Sequence, residues 1–451
     1  MKAAVAAGHP ATAEAGIEIL AEGGTAADAA VAAALASCVA ETVMTGLLGG
    51  GHAIVWDGRR ARNLDCFVAV PSGSGAPMLD LQVPFGEETV HYAVGPASCA
   101  VPGLPAGLDA LWREHGRLPW PRLVEPALRL ARAGTDLPPR HAACLAMLEA
   151  VMTLNRGADL YAPGGRLLQA GDRLLQPGLV AALEILAAEG AGSVYRGAVA
   201  EAILAEPGVV VTRADLNAYA ARWTEPVEVG YAGTRLLTRA GLSGVPELLG
   251  RLPLLGGGLS ATERVLALVH VLDDRGAEGH TTNLCVVDAE GCAVVLTSSL
   301  GLGSGDFLAG LDLHLNSMLG EKDLIAGRLE PGARMQSMMA PSVALDRDGL
   351  ALAIGSAGGT RLRTALCTVA ASVLDEGLEP QEAVDRPRVH PAGGTINAEP
   401  GVDEEALLRL EAAGRSVRRW PELHHYFGGT SLVSRRGAAA DPRRDGAALE
   451  L

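Results

Sequence analysis

Between residues 11 and 40 apolar positions recur at helical spacing, with one interruption at Gly23-Gly24. A glycine pair ends a helix because it accepts the left-handed turn that closes one, so two helices are expected. Thr25 caps the second, with Asp28 three residues on in a capping-box arrangement. That helix is alanine-rich almost all round, which predicts burial against other elements. After Gly49-Gly50-Gly51 the pattern turns to strand, and the turn Asp57-Gly58 makes residues 50–70 a hairpin. Residues 101–206 are mainly helical, with segments near 104–115, 121–133, 139–153 and 178–190. Residues 207–240 are mixed, and 241–260 show no period.

The pattern changes again after Gly279. Residues 284–288 and 293–298 are β-rich runs joined by Ala289-Glu290-Gly291, and 342–345 with 350–354 repeat the arrangement. Helices follow near 360–376 and 402–413, and a last strand pair lies near 428–435. Helix pairs flanking successive hairpins predict two sheets stacked between helical layers.

Composition narrows the partners. Nearly half of the 451 residues are hydrophobic but only 3% are aromatic, so the core must be aliphatic. Acidic residues exceed basic ones by 52 to 37, a net charge of −15 that repels nucleic acid and anionic membranes; neither is an expected partner. The seven cysteines form no CxxC pair and read as buried small hydrophobes. The N-terminal stretch is too short and polar for a signal peptide, and residues 26–40 fall short of a membrane span, so a cytoplasmic chain is expected. His424-His425 lacks a carboxylate at ligand spacing, and Gly256-Gly257-Gly258 lacks a following Lys-Ser/Thr. Neither a metal nor a cofactor is expected. Met335, Met338 and Met339 are read as pocket or core lining.

The candidate chemistry lies in Gly279-His280-Thr281-Thr282-Asn283-Leu284. A threonine hydroxyl is a weak nucleophile that needs a base beside it. If the peptide bond before Thr281 is cut, the freed α-amine, with a pKa near 8, becomes that base. Thr-Thr before a strand carries little weight alone, since β-branched residues start many strands.

Several blocks in order add that weight. HPATAEAGIEILAEGGTAADAAVAAAL, VPGLPAGLDALWREHGRLPW, GHTTNLCVVDAEGCAVVLTSSLG, IGSAGGTRLRT, AVDRPRVH and ADPRRDGAA together resemble the γ-glutamyltransferase family along nearly the whole chain. The resemblance implies an α/β (α+β) fold, the four-layer αββα sandwich of Ntn hydrolases, made as a self-cleaving precursor. Cleavage between His280 and Thr281 would leave a large subunit, 1–280, and a small one, 281–451. It further implies Thr281 as nucleophile, backbone N–H groups of Gly358 and Gly359 as the oxyanion site, and Ser299 against the nucleophile's amine. Thr282 would offer a second hydroxyl.

The departures fall in the substrate pocket. Typical members hold the glutamyl carboxylate with an arginine where this chain has Asp65-Cys66-Phe67-Val68, and with paired serines where it has Ser337-Met338-Met339. An asparagine becomes Gly301, and an aspartate-bearing block becomes Asn316-Ser317-Met318-Leu319-Gly320-Glu321, with Glu321 as a replacement charge. Ser337, Met338, Asn316, Glu321 and Gly301 are therefore the expected substrate contacts. Losing a bidentate arginine and a serine should cost a glutamyl ligand on the order of 10²-fold in affinity.

The expectation is an autoprocessed hydrolase with a non-glutamyl small-molecule substrate. Hydrolytic C–C cleavage, as associated with γ-glutamyltransferase-like homologues of 4-alkyl-proline antibiotic biosynthesis, is one form of it. The rivals are a γ-glutamyl hydrolase or transpeptidase with another carboxylate clamp, and a non-maturing binding homologue. The expected partners are the substrate and the two fragments, with a homo-oligomer of the processed heterodimer left open.

Overall fold

The computed structural model describes residues 1–75, 77–85, 88–272, 281–325 and 327–451. Two antiparallel sheets form its centre. The seven-stranded sheet runs Ala447–Glu450, Ala4–Ala7, Thr282–Val287, Ala293–Ser299, Gly50–Trp56, Ala61–Cys66, Arg222–Thr224. The six-stranded sheet runs Gly437–Ala440, Gly429–Ser434, Gly349–Ala357, Ser342–Asp346, Thr234–Thr238, Val227–Tyr231. Their facing sides bury a common aliphatic layer that includes Ile54, Cys285, Val287, Val295, Val343, Ala353 and Val433.

Helices cover both outer faces, giving the expected αββα order. Pro10–Ala21 and Ala26–Ala40 lie on the first sheet, and all fifteen residues of the second helix are buried. Alanine permits this: small side chains let the helix approach the sheet on one side and Trp120–Ala133 on the other. Its N-terminus carries the capping box expected of Thr25 and Asp28. Arg361–Leu374 covers the second sheet.

The hairpin 50–70 is realised as Gly50–Trp56 and Ala61–Cys66, and the two hairpins after Gly279 as Thr282–Val287 with Ala293–Ser299 and Ser342–Asp346 with Gly349–Ala357. The helix expected over 139–153 is divided at Leu148 into Pro139–Met147 and Glu149–Met152. The mixed stretch 207–240 supplies the edge hairpin Val227–Tyr231 and Thr234–Thr238. Leu79–Phe85 and Glu88–Val94 form a separate two-stranded hairpin. Six of the seven cysteines are buried and all are unpaired. Among the described residues no helix is long and apolar enough to cross a membrane.

Candidate active site

Thr281 immediately precedes Thr282–Val287, a strand hydrogen-bonded on both sides within the seven-stranded sheet. It is 5% exposed and lines two small cavities. His280, the expected residue before the cleavage point, lies outside the described residues.

The first cavity, about 20 Å³, brings Thr281 together with Ser299, Ser337, Glu321 and Gly359. The rest of its wall is apolar: Phe67, Met318, Leu324, Met338, Met339 and Leu362. Ser299 ends the strand Ala293–Ser299, and its Oγ accepts from the Gly301 amide at 2.9 Å. Ser337 Oγ accepts from the Met339 amide at 3.2 Å.

Gly358 and Gly359 form the turn from the strand Gly349–Ala357 into the helix Arg361–Leu374. Their φ angles, +125° and +58°, suit glycine. A Cβ on Gly358 would also stand 2.8 Å from the Gly428 Cα. Gly428 is braced in turn by Arg388, whose Nη1 donates to the carbonyls of Phe427 and Gly428 at 3.2 Å each. Arg388 pairs with Asp441 at 2.6 Å, and Asp441 also holds Arg443 at 3.1 Å, with all three side chains almost wholly buried. The AVDRPRVH and ADPRRDGAA blocks thus act together as an ionic frame behind the glycine turn. Gly359 lines the Thr281 cavity, and Gly358 precedes it in the same turn, packed against Gly428.

Two expected substrate contacts, Asn316 and Gly301, and the expected second hydroxyl of Thr282 are placed elsewhere. Asn316 lines neither cavity, because its amide is spent on backbone. It donates to Leu48 O at 2.9 Å and Ala100 O at 2.8 Å, and accepts from the amides of Ala100 and Met318. Gly301 stands behind the wall, at φ +71°, where an ideal Cβ would sit 2.4 Å from Glu321 Oε1. Its lack of a side chain makes room for the Glu321 carboxyl. Thr282 points to the other cavity, where its hydroxyl donates to Glu41.

Glu321 is 4% exposed, and its Oε1 has no hydrogen-bond partner among the described residues. Burial, with Asp323 adding repulsion, pushes its carboxyl up to about 8. An unpaired carboxyl in an apolar wall holds its proton because the charged form cannot be solvated there.

The second cavity, about 10 Å³, is lined by Glu41, Thr282, Asn283, Thr430 and Arg444 among others. Glu41 accepts from Thr282 and, at 2.7 Å, from the Thr12 hydroxyl, while burial raises its pKa. Glu41 was not expected here. Its one signal is an acidic residue directly after the helix Ala26–Ala40, an end at which the helix dipole disfavours negative charge.

The pocket arginine that the 65–68 block lacks is not restored within the cavity. Phe67 stands on the wall instead. Arg239, at the end of the strand Thr234–Thr238, directs Nη1 to Ser337 O at 2.7 Å and Met339 O at 3.3 Å. Burial lowers its pKa to about 10. A guanidinium therefore fixes the shape of the 337–339 segment from behind.

A family profile described as Gamma-glutamyltranspeptidase matches residues 12–255 and 260–451. The chain belongs to the gamma-glutamyltranspeptidase family. An acylase ACY 1 proenzyme of Pseudomonas sp. (strain V22) is 29% identical, covering 93% of this chain and 88% of its own. A glutathione hydrolase proenzyme of Bacillus subtilis (strain 168) is 25% identical, covering 99% and 91%. The crystal structure of a cephalosporin acylase from Bacillus halodurans superposes with a TM-score of 0.82 at 23% identity, covering 99% of this chain and 95% of that one. The fold is that of the Ntn hydrolases, and relatives in this gamma-glutamyltranspeptidase family are named as both acylases and glutathione hydrolases.

Proposed function

We propose that this chain cuts itself before Thr281 and that the mature protein hydrolyses an amide whose acyl group is not γ-glutamyl. The observation that carries the reading is the Thr281 cavity, in which Ser299, Ser337, Glu321 and Gly359 are the polar neighbours of a threonine at a strand start and most of the wall is Phe67, Met and Leu. Cleavage would give fragments of 280 and 171 residues (451 − 280 = 171). The freed α-amine takes the Thr281 hydroxyl proton as Oγ attacks the substrate carbonyl. The oxyanion is held by the N–H groups of the Gly358-Gly359 turn, which the Arg388–Asp441–Arg443 frame keeps rigid. Collapse of the adduct breaks the C–N bond as the α-ammonium returns the proton to the leaving amine, and water, deprotonated by the same α-amine, then releases the acyl group from Thr281 as a carboxylic acid. Two relatives named as proenzymes, one an acylase, agree with self-cleavage and with an amide substrate.

With no guanidinium on the wall, a glutamyl carboxylate has no charge-assisted partner, and apolar acyl groups fit better. The same nucleophile and oxyanion site would also serve a C–C bond beside a stabilised carbanion, the bond expected from the 4-alkyl-proline resemblance; the acylase relatives favour the amide.

Two assays test the reading. Denaturing electrophoresis should show two fragments in the wild type and one band in Thr281→Ala; a single uncut wild-type band refutes it. Neutral acyl p-nitroanilides should be turned over at least about 10²-fold faster than the γ-glutamyl anilide, and equal or better γ-glutamyl turnover refutes the rebuilt pocket.

A further inference from the structure

The second cavity that Thr281 lines, about 10 Å³, is separate from the acyl pocket, yet it holds a carboxyl and a guanidinium that no step above uses. Glu41 is 1% exposed and caps the C-terminal end of the helix Ala26–Ala40. Two elements hold its carboxyl in place: the Thr12 hydroxyl donates to Oε1 at 2.7 Å and the Thr282 hydroxyl donates to Oε2. Gly8 makes the room, since a Cβ there would stand 2.6 Å from Glu41 Oε2 and 3.0 Å from Thr282 Oγ1. The guanidinium is that of Arg444, 6% exposed, which directs Nη1 to the Met44 sulfur at 3.1 Å and leaves Nε unpartnered among the described residues. The space between these groups admits about one water, so its walls are close together.

Side chains alternate across a strand. With the Thr282 hydroxyl on Glu41, alternation sends the Thr281 side chain to the substrate cavity and leaves its backbone toward Glu41. We propose that Glu41 is a positioning residue for the freed amine of Thr281, its carboxylate serving as the counter-charge of the α-ammonium. The proposal rests on self-cleavage before Thr281 and adds the group that controls the new base. Cleavage turns an uncharged amide nitrogen into an amine. As Oγ bonds to the substrate carbonyl carbon, its proton passes to that nitrogen and the carbonyl oxygen becomes the oxyanion. The oxyanion faces the Gly358-Gly359 turn, and the ammonium, on a residue 5% exposed, needs an opposite charge on its own side. Burial raises the Glu41 carboxyl, so it ionises at neutral pH only with cations beside it: Arg444 before the cut, Arg444 and the ammonium after it. The other groups around it keep their charge state between pH 5 and 9. Burial holds His9 down to about 3 and His141 to about 4, both neutral, and pushes Cys38 up to about 12. Burial opposes ionisation of Asp441, but Arg388 and Arg443 hold it below the usual carboxylate range, and Asp445 accepts from the Arg140 amide at 2.6 Å.

The pH dependence of kcat/KM for a neutral acyl p-nitroanilide, measured from pH 5 to 9, reads the amine of the free mature protein. Glu41→Gln keeps the volume and removes the counter-charge, so the acid limb should move down by about one pH unit or more. A base that binds its proton less tightly is weaker, so kcat on the plateau should fall by up to about tenfold. KM should stay within about twofold, because Glu41 is not on the wall of the acyl pocket. Arg444→Met removes the opposing charge, and its acid limb should move up. Glu321, on the substrate side of Thr281, is the same in every form compared. Before the cut the nitrogen carries no charge, so Glu41→Gln should still cleave itself. A carboxyl that only supports the fold would change kcat or KM and leave the limb in place. An unmoved limb in Glu41→Gln, a limb in Arg444→Met that does not rise, or a Glu41→Gln chain that stays uncut overturns the proposal. With a wild type that cleaves and turns over, those results count against this inference alone; a wild type that never cleaves overturns the reading of Thr281 on which it stands.

Discussion

Replacing Glu321 by Gln keeps the volume and removes the ionisable proton, so it isolates the burial of this one carboxyl. The folded protein holds the group near 8, against an ordinary value of 4.5. Between those values the unfolded chain has released the proton and the native protein has not. The contribution of Glu321 to stability is thus complete below about 4.5 and is lost as pH rises through about 8. At about 1.4 kcal/mol per tenfold, the interval from 4.5 to about 8 amounts to roughly 5 kcal/mol at most, and relaxation of the wall will reduce it. Gln cannot ionise and escapes the loss. Thermal unfolding of both forms should be followed from pH 4.5 to 9 in the Thr281→Ala background, where the chain stays in one piece. The midpoint of Glu321→Gln should rise relative to its parent by several degrees across that range, at about 1–2 °C per kcal/mol for a chain of this size. The other carboxyls raised by burial, Glu41 among them, titrate alike in both forms and cancel. Parallel curves, or a gap that widens toward acid, would refute the argument that Glu321 is neutral and unpaired in the native wall.

Four further substitutions probe the frame of the site. Thr282→Val removes one of the two hydroxyls that donate to Glu41; chemical denaturation should show a loss of about 1–3 kcal/mol, greater above pH 5, because the already raised carboxyl moves further up. Gly358→Ala forces a side chain at φ +125° against Gly428; the strain should cost about 1–3 kcal/mol, and anilide turnover should fall by about 10²-fold in a protein whose circular dichroism is unchanged. Arg239→Met leaves the carbonyls of Ser337 and Met339 without their donor; steady-state kinetics should show KM rising more than kcat falls. Gly320→Ala drives a methyl into the Ala93 carbonyl; limited proteolysis should then cut the hairpin Leu79–Phe85 and Glu88–Val94 faster than in the wild type.

The elements that carry a clear period were legible in the sequence: the Thr25-capped buried helix, the hairpin after Gly49-Gly50-Gly51 and both hairpins after Gly279. Among the strands that went unread are two kinds. Ala4–Ala7 is buried on both faces between two other strands, so it has no polar alternation to betray it. Val227–Tyr231 and Ala447–Glu450 are edge strands, with one neighbour each and a half-exposed pattern that local composition does not separate from loop.

The site divides along the same line between local and distant information. Thr281 and the glycine turn stand in contiguous motifs and could be located from residue order, as could the missing arginine of the 65–68 block. What fills the place of that arginine could not be read, because the answer lies in contacts between distant segments. Glu41 meets Thr282 across 241 positions, and Arg239 reaches Met339 across 100. Gly301 and Glu321 show why a motif read position by position misleads. Each by itself looked like a substrate contact. In the fold the glycine is the space into which the carboxyl fits, since a Cβ at 301 would lie 2.4 Å from Glu321 Oε1. Loss of a polar side chain at one position and replacement of an aspartate by the longer glutamate twenty residues later are therefore a single change of shape, and it is the acid, not the glycine, that faces what enters the pocket.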